Sequence, residues 1–180
     1  MLLNELLSGF PRATFMREHY LQQPFARRSA AQRLQPLATW GLIDWLVEQT
    51  PCDLMLVRDG SLWSGARPTT ARQARALYEE GYTLVLRQPD QHHAALAEVA
   101  RTFSAELHGR INLHIYCTPP GHHGFAWHCD PEEVFIFQTV GRKDYSLREN
   151  TLCPAPLLER LPSGALAARE TTPITDCQLT

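Results

Sequence analysis

The chain has 180 residues, 44% of them hydrophobic and 20% charged, with a formal net charge of −2 at pH 7. That composition suits one ordinary soluble domain and gives no electrostatic footprint for nucleic acid. No apolar run approaches the roughly 20 residues needed to span a bilayer, and Met1–Leu7 has an early acid and no basic leader, so no secretory signal is expected.

In chain order, Met1–Leu7 reads as a short amphipathic helix. Thr14–Gln22 reads as a second helix, stopped near Pro24. Ala38–Glu48 carries Trp40, Ile43, Trp45, Leu46 and Val47 at mostly helical spacing and reads as a core-facing helix. Leu54–Val57 and Ser61–Trp63 flank Asp59-Gly60, a two-residue hairpin signal. Thr69 or Thr70 caps a helix to Glu80, with Gly81 just past its end. Tyr82–Arg87 reads as a strand. Pro89-Asp90 opens a helix to about His108, with Leu96, Val99, Ala100, Phe103 and Leu107 on one face. Strands are expected near Ile111–Cys117, Glu133–Val140 and Lys143–Arg148, and a loop with a short helix over Pro154–Pro162. The division expected from this pattern is a mixed flanking part over 1–109 and a strand-rich part over 110–180.

The chemistry concentrates between Gly124 and Lys143. His128 and Asp130 are two apart, so on a strand they share a face and Cys129 points away. An imidazole and a carboxylate so placed supply two thirds of a 2-His-1-carboxylate facial triad for Fe(II). A surface turn with Asp130 as a cap before Pro131 is the plain alternative. The chain has 17 basic residues, and Lys143 is its only lysine. A compact ammonium and a planar guanidinium do different work, so this position has a chemical reading.

Other clusters read as structural. His92-His93 suits a solvated first helical turn, and His122-His123 a mobile polar loop. Glu133 alternates away from the Asp130 face. Cys52, Cys117, Cys129, Cys153 and Cys177 form no C-x-x-C pair, which fits free thiols in a reducing cytoplasm. No local signature supports Ser-His-Asp or Cys-His nucleophilic catalysis.

Around the pair stand Tyr116-Cys117-Thr118-Pro119-Pro120-Gly121, Gly124-Phe125-Ala126-Trp127, Glu133-Val134-Phe135-Ile136-Phe137-Gln138 and Gly141-Arg142-Lys143. This run resembles the JmjC-type branch of the cupin superfamily, the Fe(II)/2-oxoglutarate oxygenases, and within it the ribosomal-protein oxygenases. The resemblance covers Ile111–Leu147 well and the first hundred residues by general layout.

It implies an α+β fold with a mostly β core, a double-stranded β-helix (cupin, jelly-roll) behind N-terminal helices. It implies Fe(II) held by His128 and Asp130 and 2-oxoglutarate as cosubstrate. Lys143 would pair with the distal carboxylate of 2-oxoglutarate, and Thr118 would place a hydroxyl near it. No catalytic residue beyond the metal ligands is implied, and no role transfers to His114. The implied activity is a dioxygenase hydroxylating a C–H bond of a protein side chain, ribosomal protein included, or of a small molecule. A cytoplasmic location and a homodimer are compatible with it; a membrane or direct nucleic-acid partner is not implied. The family's third ligand is a histidine on a later strand, and no histidine follows His128. The expectation is therefore an N-terminal fragment with an incomplete barrel. A natural short form, acting as a non-catalytic cupin-like binding or scaffold module, is the alternative.

Overall fold

The computed structural model describes residues 2–28, 30–152 and 168–180. The segment Pro154–Pro162, expected to be a loop with a short helix, lies outside them. The chain folds into two compact units, one of Met1–Leu2 with Pro36–Ala126, the other of Leu3–Gln35 with Trp127–Thr180. The architecture is α+β, with N-terminal helices α1 (Leu2–Leu6) and α2 (Arg12–Glu18) and two small antiparallel sheets.

The first unit is built on a four-stranded sheet in the order β2-β1-β3-β4, with β1 Asp53–Arg58, β2 Ser61–Leu62, β3 Thr83–Arg87 and β4 His114–Cys117. The Asp59-Gly60 turn forms as its sequence predicts. Both residues have positive φ, +51° and +78°, as a tight hairpin turn requires. Leu54 pairs with Leu86, which pairs with Ile115; Leu56 pairs with Leu84, which pairs with Cys117. Alternation puts these six on one face. They pack with Ile43, Leu46 and Val47 of α3 (Trp40–Gln49) and Ala74 of α4 (Ala71–Glu79). Leu46, Leu84 and Leu86 are fully buried, and each such leucine is worth about 1.5–3 kcal/mol over exposure.

Local chemistry sets the helix ends. Thr39 caps α3 by accepting from the Leu42 amide at 3.2 Å. Thr70 and Gln73 form a reciprocal capping box on α4. Arg75 of α4 holds Asp44 of α3 through Nε at 3.0 Å and Nη2 at 2.5 Å. After β3, Gln88 takes a left-handed φ of +53°, and Pro89–Gln91 makes a single tight turn. The long helix α5 therefore starts at Ala94 rather than Pro89 and runs to Leu107.

The other face of the sheet receives the glycine-rich segment. The Asp59 amide donates to the His123 carbonyl at 3.1 Å, and the Gly60 amide to the Gly124 carbonyl at 2.7 Å. Gly124 lies so near the sheet that a Cβ there would sit 3.1 Å from Thr83 Oγ1 and 3.2 Å from Val57 Cγ1. Backbone bonds thus anchor the His122-His123 segment, where the sequence suggests a mobile loop. His92 and His93 also differ from expectation. Both are half-buried, and the His93 ring meets Trp45 edge-on at 5.9 Å. A shallow cavity of about 550 Å³ nearby, lined by Leu37, Leu42, Trp45 and His93 among others, contains none of the candidate site residues.

In the second unit, α2 (Arg12–Glu18) has Pro11 at its N-cap and ends earlier than its sequence suggests. Phe15 is buried among Phe25, His19 and Tyr20, and Phe135 joins this cluster at 6.4 Å from Phe15 and 6.3 Å from Tyr20. The sheet is a two-stranded antiparallel pair, β5 Lys143–Leu147 with β6 Thr175–Leu179. Residues 133–140 form no strand. Their apolar, β-branched composition matches strand preference, but that preference is realised only against a neighbouring ladder. Among the described residues no jelly-roll is formed.

Candidate metal and cosubstrate site

His128 and Asp130 lie outside regular strands, so the expected strand placement is not what presents them. Their side chains nevertheless meet, with His128 Nε2 3.7 Å from Asp130 Oδ2. Both side chains are about half exposed, 51% and 47%. Adjacent ligand atoms on one ion with bonds of about 2.1 Å sit about 3.0–3.4 Å apart, so a divalent metal would draw the pair together by a few tenths of an ångström. An imidazole nitrogen and a carboxylate oxygen at this separation fit two positions of a metal site. No group of three or more His, Cys, Asp or Glu side chains able to hold a metal occurs among the described residues.

Lys143 opens β5. Register pairs it with Leu179, and alternation puts it on one face with Tyr145 and Leu147. The side chain is half-buried, and Nζ stands 5.5 Å from the centre of the Tyr145 ring, a cation–π distance. An ammonium tethered over an aromatic face and partly screened from water is suited to a carboxylate partner. Thr118 belongs to the first unit, where Thr83 Oγ1 donates to Thr118 Oγ1 at 3.1 Å. That bond satisfies the hydroxyl of Thr83, which is only 1% exposed. His114 interacts with Tyr116, their side-chain polar atoms 3.4 Å apart.

Residues distant in sequence meet the two side chains that alternate with the pair. Trp127 and Cys129, alternating with His128 and Asp130, are half-buried. The Arg148 guanidinium lies 4.2 Å from the centre of the Trp127 ring, and Asn150 Nδ2 donates to Cys129 Sγ at 3.3 Å. Arg148 also donates to the Glu170 carbonyl. Glu170 is only 6% exposed. Its carboxylate accepts from the Thr151 amide at 2.6 Å, the Thr151 hydroxyl, the Leu152 amide and the amides of Thr171 and Thr172. Burial alone would raise its pKa, but the bonds from the Thr151 hydroxyl and from the Thr151, Thr172 and Thr171 amides outweigh that and hold it at about 2. The alternation of residues 127–130 is the one sequence signal for this arrangement. Nothing local marks Glu170.

Residues 84–180 match the JmjC domain family, more than half of the chain and all of the candidate metal pair. The chain belongs to the JmjC-domain family. It is similar to the bifunctional lysine-specific demethylase and histidyl-hydroxylase NO66 of Drosophila persimilis, with 27% identity over 93% of this chain and 25% of the fly protein. The NO66 protein of Drosophila simulans is 28% identical over 86% of this chain and 20% of its own length. That of Drosophila melanogaster is 28% identical over 77% and 22%. This JmjC chain thus spans about a quarter or less of the length of these relatives, and its likeness to them is to the ribosomal-oxygenase branch. No helix among the described residues is long and apolar enough to cross a membrane.

Proposed function

We propose that the chain is the metal-binding part of an Fe(II)- and 2-oxoglutarate-dependent hydroxylase. The observation that carries this is the approach of His128 Nε2 to Asp130 Oδ2, 3.7 Å, within the segment that matches the JmjC domain. In this reading His128 and Asp130 are two ligands of the metal. The family's distal histidine has no counterpart after His128 in this sequence. Fe(II) with 2-oxoglutarate, when bound, would supply reaction with O₂, one oxygen atom going to succinate as CO₂ leaves and the other to a substrate C–H bond.

The chain's own residues bind and orient. His128 would donate its Nε2 lone pair, which requires the neutral ring. Asp130 contributes negative charge and an oxygen ligand. Lys143 pairs with the far carboxylate of the cosubstrate, where partial burial makes that contact stronger than in water. The substrate in this reading is a protein side chain, in keeping with the histidyl-hydroxylase and demethylase names of the relatives; a small molecule comes second. The setting is cytoplasmic.

A second reading is a non-catalytic cupin-like binding module. The half exposure of both side chains favours it. Succinate formation from 2-oxoglutarate by the full-length protein with Fe(II) separates the two. Turnover abolished by His128→Ala and by Asp130→Ala supports the hydroxylase. Absence of any Fe(II)-dependent turnover supports the binding module.

A further inference from the structure

His128 and Asp130 sit on a segment with no strand ladder to fix its direction. Its two half-exposed side chains stand 3.7 Å apart, and the residues that alternate with them are gripped from elsewhere in the chain. Trp127 is covered by the flat face of Arg148 at 4.2 Å, and Cys129 accepts from Asn150 at 3.3 Å. Arg148 and Asn150 both lie just after β5. Arg148 is bonded to the Glu170 backbone, and the Glu170 carboxylate gathers the amide and hydroxyl of Thr151 together with the amides of Leu152, Thr171 and Thr172. Thr172 adds a hydroxyl bond to the Glu149 carbonyl at 2.8 Å. A buried anion thus fastens residues 148–152, and that fastened strip grips the two side chains that alternate with the metal pair.

We propose that Arg148, fixed by Glu170 and stacked on Trp127, together with Asn150 on Cys129, positions His128 and Asp130 to share one divalent metal ion. The proposal rests on the metal reading above and names positioning residues that do not themselves touch the metal. Guanidinium suits this role because it stacks with its face and donates in its plane at once, whereas an ammonium has no flat face to lay on indole. Loss of groups that orient metal ligands typically costs about 10–100-fold in metal affinity.

The test is titration of the full-length protein with Co(II), read by its visible absorption, with far-UV circular dichroism and the unfolding midpoint measured in parallel. Trp127→Phe keeps a ring under Arg148 and should hold wild-type affinity within about twofold, whereas Trp127→Ala and Arg148→Met should weaken Co(II) by about 10–100-fold in folded protein. Arg148→Lys should fail to restore it, because charge without a plane does not stack. If Arg148→Met does not fold, Asn150→Ala decides: about a threefold or greater loss supports the proposal, on the scale of one hydrogen bond, and unchanged affinity overturns it. Lowered unfolding midpoints with unchanged Co(II) affinity and spectrum would show a purely structural brace and overturn it. Co(II) binding that is indifferent to His128→Ala would instead sink the metal reading, and the positioning role with it.

Discussion

Asn150 reaches back to Cys129, its side-chain amide 3.3 Å from the sulfur, and so occupies the residue between His128 and Asp130. The contact turns Cys129 toward the strip after β5 while its two neighbours meet at 3.7 Å on the other side. Strand-like alternation is thus kept over residues 127–130 without a strand.

Glu170 makes the fold acid-sensitive. Its carboxyl titrates at about 2 in the folded protein against an ordinary 4.5. A depressed folded pKa stabilises the protein above the unfolded value, and that stability is lost as pH falls from about 4.5 toward 2. Chemical denaturation across this range should show a falling midpoint in the wild type. Glu170→Gln should start lower at neutral pH and lose less on acidification. Parallel curves for the two proteins would show that the carboxylate contributes nothing to stability.

Gly124 is predicted to resist substitution. A Cβ there would lie 3.1 Å from Thr83 Oγ1 and 3.2 Å from Val57 Cγ1, and those residues are 1% and 0% exposed. Neighbours so confined give way poorly, so Gly124→Ala should cost about 1–3 kcal/mol in urea unfolding. A change below about 0.5 kcal/mol, the range of neutral surface substitutions, would mean that the segment lifts freely from the sheet.

Lys143→Ala should raise the 2-oxoglutarate concentration needed for half-maximal turnover about tenfold or more, on the scale of one lost charge-assisted hydrogen bond. Tyr145→Phe, which keeps the ring beneath Nζ at the same position, should change it little. An unaltered cosubstrate requirement in Lys143→Ala would remove Lys143 from the site.

Leu84 is fully buried at the junction of β1, β3 and β4. Leu84→Ala should destabilise by about 2–5 kcal/mol, the cost of lost burial plus a cavity. A much smaller loss in denaturant midpoint would place the core elsewhere.

Where the decisive interaction is local, the sequence is readable. Asp59-Gly60 supplies its own left-handed conformations, and Thr70 finds its capping partner at Gln73 within a turn. The His128 and Asp130 spacing is equally local, and so is the family resemblance carried around it. Residues 133–140 mislead because Val134, Ile136 and their neighbours prefer a strand only when another strand pairs with them. His93 looks solvated in the sequence because its cover, Trp45, is 48 positions away. Glu170 is invisible for the same reason: its strongest partner, Thr151, lies 19 residues upstream. The start of α5 is displaced by Gln88, whose left-handed backbone no residue pattern announces.

The central claim is that His128 and Asp130 together hold a divalent metal. Its most direct measurement is calorimetric titration of the full-length protein with Fe(II) under anaerobic conditions, beside His128→Ala and Asp130→Ala. The account predicts one site per chain in the wild type, with affinity lost by about tenfold or more in each variant and no further loss when both are combined beyond the removal of that site. Wild-type binding that persists unchanged in both variants, or no Fe(II) binding by the wild type, would contradict it.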